Sequence, residues 1–214
     1  MKILIYGTGE NSLQAAAILR HDLAIQIVGY LDDAPDRQGA SHLGLPVCAG
    51  SDDIGATATR LGATGAFVAI GDNRARARAT ARVAAAGLSL VSAIHPQSMI
   101  DAPRRLGHGI MVEMGAAIHA EASVGDGTFV MGGAIVSHHS TVGAWSLLGG
   151  GTVFGGNVVI GDYTTLGCGT VVQPHTSVGN GVVTGIGTAV TKDLADGSVA
   201  VGVPARVVRV AVVA

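Results

Sequence analysis

Charge and aromatic rings are scarce in this chain. Only 13% of the residues are charged and 3% are aromatic, and the formal net charge is −2. Such a charge balance supplies no basic footprint, which argues against nucleic acid as a partner. Cysteine is nearly missing too. Cys48 and Cys168 lie far apart without metal-ligand spacing, and they read as reduced thiols of a cytoplasmic protein. No uninterrupted apolar run approaches the roughly 20 residues that span a bilayer, so no membrane partner is expected. Met1-Lys2-Ile3-Leu4-Ile5-Tyr6-Gly7 reads as a strand entering a glycine turn and not as a signal peptide. Glycine, by contrast, is abundant, at 33 of 214 residues.

The glycines belong to a beat. From Ile94 to Val190 every sixth residue is aliphatic or Phe: Ile94, Ile100, Leu106, Val112, Ile118, Val124, Val130, Val136, Val142, Leu148, Phe154, Ile160, Leu166, Val172, Val178 and Val190, with Thr184 the single exception. A helix or an ordinary strand would smear such a period, whereas a coil whose faces are each six residues wide reproduces it. Gly107, Gly125, Gly143, Gly161 and Gly179 add an eighteen-residue period, so three hexads make one turn of a triangular prism. The position four residues after each aliphatic is mostly small, as a narrow interior requires. Arg104 and Ile110 break that rule in the first turn, where end rungs are atypical.

Ahead of the coil, strand and helix alternate. Ile3 to Tyr6, Ile25 to Leu31 and Ala66 to Ile70 read as parallel strands; Leu13 to Leu19, Ser51 to Arg60 and Arg74 to Ala86 read as helices. The turn Gly7-Thr8-Gly9-Glu10-Asn11-Ser12 admits three readings. It is a dinucleotide fingerprint with Asp32 on a ribose, a smaller phosphate cradle at a helix N-terminus, or a tight turn without ligand.

Three further stretches accompany the coil and the turn: Val28-Gly29-Tyr30-Leu31-Asp32-Asp33, Gly44-Leu45-Pro46-Val47, and Ala69-Ile70-Gly71-Asp72-Asn73-Arg74-Ala75-Arg76. In this order and spacing they resemble the PglD/NeuD-like bacterial sugar O- and N-acetyltransferases, which include bacillosamine and perosamine N-acetyltransferases. The resemblance implies an α/β plus β-solenoid architecture: a small Rossmann-like parallel domain, residues 1–92, followed by a left-handed parallel β-helix of hexapeptide repeats, residues 93–214. It also implies a homotrimer with active sites at subunit interfaces. The first domain would hold a nucleotide-linked amino sugar through Gly9, Glu10, Asn11, Ser12, Asp32, Asp33 and Gly71. The coil would hold acetyl-CoA through Gly156, Cys168, Ile186, Lys192 and Arg206, without a metal. Family members commonly read Gly-x-Gly-Gly-His-Gly in the cradle, and this chain departs from that at Glu10, Asn11 and Ser12.

By the same resemblance His138, five residues before Gly143, is the general base that takes a proton from the attacking amine. The residue after this His is usually acidic; here it is His139. One turn earlier stands Glu121, which the eighteen-residue period brings into the column of His139, and it is expected to orient His138 directly or through His139. Gly156, one turn after His138, is expected to offer its amide to the developing oxyanion. A second family His falls at Leu147. A zinc reading is poorer, because His139 and His175 share a column but the place of a third ligand is Asn180. Acetylation of a sugar hydroxyl and a non-catalytic sugar-nucleotide scaffold remain the alternatives.

Overall fold

The computed structural model describes residues 1–49 and 53–210. Cα packing divides the chain into two compact units, 1–95 and 96–214. In the first, β1 (Lys2–Tyr6) runs into α1 (Glu10–Leu19), β2 (Gln26–Asp32), a hairpin of β3 (Ser41–His42) and β4 (Leu45–Ala49), α2 (Ile54–Leu61), β5 (Gly65–Val68), α3 (Asn73–Ala85) and β6 (Ser89–Leu90). The sheet order is β3-β4-β2-β1-β5-β6, parallel except between β3 and β4. Strand β1 is therefore central and reads Ile3-Leu4-Ile5-Tyr6, buried on both faces, as a covered parallel strand must be. Chain order reverses between β1 and β5, the place where open α/β sheets offer a crevice beyond the carboxyl ends of their strands. The first part of the expected helix from Ser51 lies outside the described residues; the helix is seen from Ile54, capped by Asp53, whose carboxylate accepts from the Ala56 amide.

The hairpin was not foreseen. Leu43 and Gly44 both take positive φ, 50° and 79°, which turns the chain in two residues. Pro46 sits in β4 opposite Ser41, one residue before the pairing of β4 with β2 begins at Val47.

The second unit is a left-handed parallel β-helix. Two-residue strands stack on partners eighteen residues on, as in Met111↔Phe129, Phe129↔Leu147, Leu147↔Thr165 and Thr165↔Val183. The inward aliphatics from Val112 to Val178 are buried in one continuous core. Between faces the chain turns at two-residue corners whose second member takes the left-handed conformation, among them His139 (φ 58°), Trp145 (58°), Gly151 (67°) and Asn157 (60°). The glycines of the eighteen-residue series serve close approach: a Cβ on Gly143 would lie 2.5 Å from the Asp162 amide nitrogen in the next turn. After the last rungs, Arg206–Val210 folds back antiparallel on Ser198–Val201. The apolar end of the chain is thus a strand as far as Val210, with Val207, Val208 and Val210 exposed. Its last residues, 211–214, lie outside the described set.

The small buried positions do more than fit. Thr128, Ser146 and Thr164 form a vertical series in which each hydroxyl donates to a glycine carbonyl of the next turn, Gly143, Gly161 and Gly179, at 2.7–2.9 Å. Each also accepts from the backbone amide one turn on, of Ser146, Thr164 and Val182. These hydroxyls join successive turns where the corner geometry withholds a backbone partner. Thr164→Val keeps the volume and removes both bonds, leaving a buried amide and carbonyl unpaired. We expect it to cost roughly 1–3 kcal/mol, read as a lowered denaturant midpoint.

Candidate active site

In the first unit, a crevice of about 520 Å³ opens at the reversal point, lined by Tyr6 to Asn11, Asp32, Asp33 and Ala69 to Gly71. Helix α1 begins here with Gly9 as its N-cap, so no side chain caps its first amides. A Cβ at Gly9 would meet nothing within 4 Å, which leaves the backbone open to close approach by a ligand. Gly7 has φ 101° and would bring a Cβ to 3.3 Å from Ile70, so the turn needs glycine there on both counts. Glu10 lies in the first turn of α1, where a carboxylate suits the helix dipole and at the same time makes the crevice less welcoming to a phosphate.

The two aspartates are committed differently. Asp32 accepts from the amide and hydroxyl of Thr8, at 2.9 and 2.5 Å, and from the Ala34 amide at 2.9 Å. Burial pushes its carboxyl up, but these hydrogen bonds and the Arg37 guanidinium outweigh burial and hold it below the usual carboxylate range. Asp32 therefore ties the glycine turn to the end of β2. Asp33 accepts from the Tyr6 hydroxyl at 2.6 Å and pairs with Arg82 at 2.8 Å. Burial first, and then the Asp33 hydrogen bond, push the Tyr6 phenol well above its ordinary value, so it stays a donor.

Ser12 does not line the crevice. Its buried hydroxyl donates to the Gly9 carbonyl at 2.6 Å and lies 2.9 Å from Nε2 of His42, so it locks the hairpin to the start of α1. Gly71 does line it, under the Asn11 side chain.

In the sequence Arg76 stands out only as the last residue of the Ala69–Arg76 motif. The structure gives it a task. Its guanidinium is completely buried and donates to the carbonyls of Ile70 and Gly71, at 2.9 and 3.0 Å, and to Oδ1 of Asn73 at 2.7 Å. Burial lowers its pKa to about 10, partly countered by Asp72, so it remains a cation at neutral pH. The charge fixes the β5–α3 turn that walls the crevice. Arg76→Met is expected to lower stability by roughly 1.5–3 kcal/mol and to weaken nucleotide binding in the fraction that stays folded, measured by denaturation and by ligand titration.

In the second unit, His138 and His139 occupy one corner and both are exposed. Their Nδ1 atoms are 3.1 Å apart and the rings meet nearly edge to face. The His138 ring lies against Gly156: a Cβ there would come 2.3 Å from Cε1 and 2.6 Å from Nε2. On the other side of His138, toward the N-terminal turns, a groove of about 590 Å³ is lined by Met99, Ile100, Asp101, His119, Ala120 and His138. Asp101 and His119 are one turn apart in a single column and were not foreseen, although the eighteen-residue period places them there.

Glu121 occupies the expected corner one turn before His139, but its carboxylate goes elsewhere. Oε2 accepts from Nε and Nη2 of Arg104, at 3.2 and 3.1 Å. Arg104, the bulky exception in the small-residue series, supplies a cation across the corner that column arithmetic does not reveal.

The residues expected to hold acetyl-CoA divide between two corners. Gly156 follows His138 on one, while Cys168 and the 85% exposed Ile186 stack one turn apart on another. The face between these corners presents Val153 and Val171 outward, both exposed. Lys192 and Arg206 are exposed beyond the last turns. All of these residues lie C-terminal to the His138 turn, and the groove lies N-terminal to it. Asn180, the place of a third zinc ligand, is used in a corner ladder, accepting from the Asp162 amide at 2.8 Å and donating to Asp196 at 3.2 Å. Among the described residues no group of three His, Cys, Asp or Glu side chains is placed to hold a metal ion.

A family model described as the PglD N-terminal domain matches residues 2–83. Among solved structures, PerB from Caulobacter crescentus in complex with CoA and GDP-perosamine is 33% identical, with a TM-score of 0.88 over 97% of each chain. The acetyltransferase domain of PglB from Neisseria gonorrhoeae FA1090, in complex with acetyl coenzyme A, is 27% identical, with a TM-score of 0.83 over 97% of this chain and 98% of that one. WeeI from Acinetobacter baumannii AYE, 16% identical with a TM-score of 0.63, shares the fold. Comparison with curated proteins gave no match.

Proposed function

The chain belongs to the PglD/NeuD-like family of CoA-dependent sugar N-acetyltransferases, and on that premise we propose that it acetylates the 4-amino group of a nucleotide-linked 4-amino-4,6-dideoxy sugar, with His138 as general base. The observation that carries this reading is the placement of His138: exposed at a corner, packed on Gly156, and bordering a polar groove. The amine nitrogen attacks the thioester carbonyl and the oxygen takes up negative charge, which the Gly156 amide stabilises. His138 accepts the proton that the nitrogen must lose. The tetrahedral species then collapses, breaking the C–S bond, and the departing thiolate takes a proton back from His138.

The order of residues along the coil gives each substrate a side. Acetyl-CoA lies toward Gly156, Cys168, Ile186, Lys192 and Arg206; the two basic groups face its phosphates. The acceptor sugar enters from the N-terminal side, where Asp101 offers a hydrogen-bond acceptor to the neutral amine and Met99 and Ile100 offer an apolar wall to a deoxy methyl group. In the first unit, the crevice holds the nucleotide through the open start of α1 with Asp32, Asp33 and Gly71. The active assembly is a homotrimer in the cytoplasm that serves polysaccharide biosynthesis, and the exposed valines of the coil faces are the surface that assembly covers.

Thiol release from acetyl-CoA tests this reading against matched acceptors. Turnover with the amino sugar and none with its 4-hydroxy counterpart is the expected result. Turnover with the hydroxyl alone would establish the O-acetyl alternative, and nucleotide binding without turnover would establish the scaffold. Light scattering should give three chains per particle.

A further inference from the structure

The carboxylate expected to serve His138 is bonded to Arg104, and the group that does face the ring is another imidazole. His138 and His139 meet through their Nδ1 atoms at 3.1 Å. Two bare nitrogens would repel at that distance, so one Nδ1 carries a hydrogen and the other accepts it. When His138 is the donor, its own Nε2 keeps a free lone pair. That arrangement is the one a base acting through Nε2 requires, and it assigns the acceptor role to His139.

We propose that His139 is the positioning residue of this site: its Nδ1 accepts a hydrogen bond from Nδ1–H of His138, fixes the tautomer that leaves Nε2 of His138 free, and stands where an acidic side chain would otherwise orient the ring. The proposal rests on the reading of His138 as the base. Geometry at the corner supports it independently. His139 has φ 58°, in the left-handed region that His, Asn and Asp enter more readily than most residues, so the backbone holds its side chain beside its neighbour at little cost. The His138 ring is also confined by Gly156, against which it lies. The imidazole is thus held by contact with a backbone and with a neutral acceptor.

The neutral acceptor has a chemical consequence. A carboxylate would stabilise the imidazolium that forms when His138 takes the amine proton, and would hold that proton more tightly. His139 orients without adding negative charge, so His138 returns its proton to the departing thiolate against less electrostatic resistance. The other titratable and charged groups around the pair are Asp101 and His119 in the groove, Glu121 with Arg104 one turn before His139, and His175 two turns after it.

His139→Gly, His139→Asn and His139→Asp separate this role from a structural one, because Gly, Asn and Asp all tolerate the left-handed corner. His139→Gly removes the acceptor and should lower kcat about 10- to 100-fold with KM for acetyl-CoA unchanged and a native melting temperature. The amide oxygen of His139→Asn should restore most of kcat. His139→Asp should also restore it, with the acidic limb of the kcat/KM profile moved to higher pH by the added charge. Native kcat and pH profile in His139→Gly would overturn the proposal, as would a failure of both Asn and Asp to rescue. If His138→Asn itself kept native activity, the reading of His138 as base would fail instead, a result separable from either of those.

Discussion

His138→Asn is expected to lower kcat/KM about 10²- to 10⁴-fold, the range that one positioned proton acceptor contributes, and to leave folding and acetyl-CoA binding intact. The loss should be confined to chemistry because the side chain holds nothing together. It is exposed, and its ring bonds to His139, itself exposed at the corner. The coil is sustained instead by the buried aliphatics and the hydroxyl series beneath the surface. Steady-state thiol release gives the kinetic loss, and thermal denaturation shows whether the fold has suffered. A variant within threefold of the native enzyme would remove His138 from the mechanism.

Gly156→Ala should be nearly as damaging, through geometry alone. The added Cβ would occupy space held by the His138 ring, 2.3 Å from Cε1 and 2.9 Å from Nδ1, and the ring has solvent to swing into. The backbone of Gly156 is not left-handed, so alanine is tolerated there without strain. The expected result is an intact coil with a displaced imidazole. A displacement of about 1 Å at a reacting group costs on the order of 100-fold, and we expect that loss in kcat, with KM for acetyl-CoA changed much less. A crystal structure of the variant should show the ring rotated off the corner. Native kcat would mean that the position of this ring against Gly156 is not the reactive one.

Much of the coil was legible because its packing imposes strict repetition. An interior one side chain deep at each face fixes an aliphatic every sixth residue, and direct stacking of corners excludes a Cβ at Gly143 and its equivalents. The same period correctly set His138 beside Gly156 and Glu121 one turn before His139. It failed where contacts run diagonally. Arg104 is seventeen residues before Glu121 and reaches across the corner, a relation invisible to a column. The hydroxyl series was read as a need for small volume, since carbonyl directions at the corners are not written in residue type. In the first unit the sequence marked the glycine turn, Asp32, Asp33 and Gly71, all of which line one crevice. Ser12 was placed among them because it fills the last position of the glycine-turn motif. The hairpin that brings His42 to that hydroxyl depends on Leu43 accepting a left-handed conformation, which local propensity does not suggest. Arg76 was hidden for a related reason: a guanidinium in an exposed-looking, arginine-rich helix shows no outward sign of being the one that is buried.

The proposed reaction moves an acetyl group from acetyl-CoA to a nucleotide-linked sugar amine. One measurement meets it directly: the protein is incubated with acetyl-CoA and an equimolar mixture of GDP-, dTDP- and UDP-linked 4-amino-4,6-dideoxyhexoses, and the products are resolved by mass spectrometry. At least one of the three is expected to gain a single acetyl group on nitrogen, with an equal amount of free CoA, and His138→Asn is expected to slow that gain at least about 100-fold. Recovery of all three sugars unmodified, while a nucleotide still protects the protein against thermal unfolding, would contradict it.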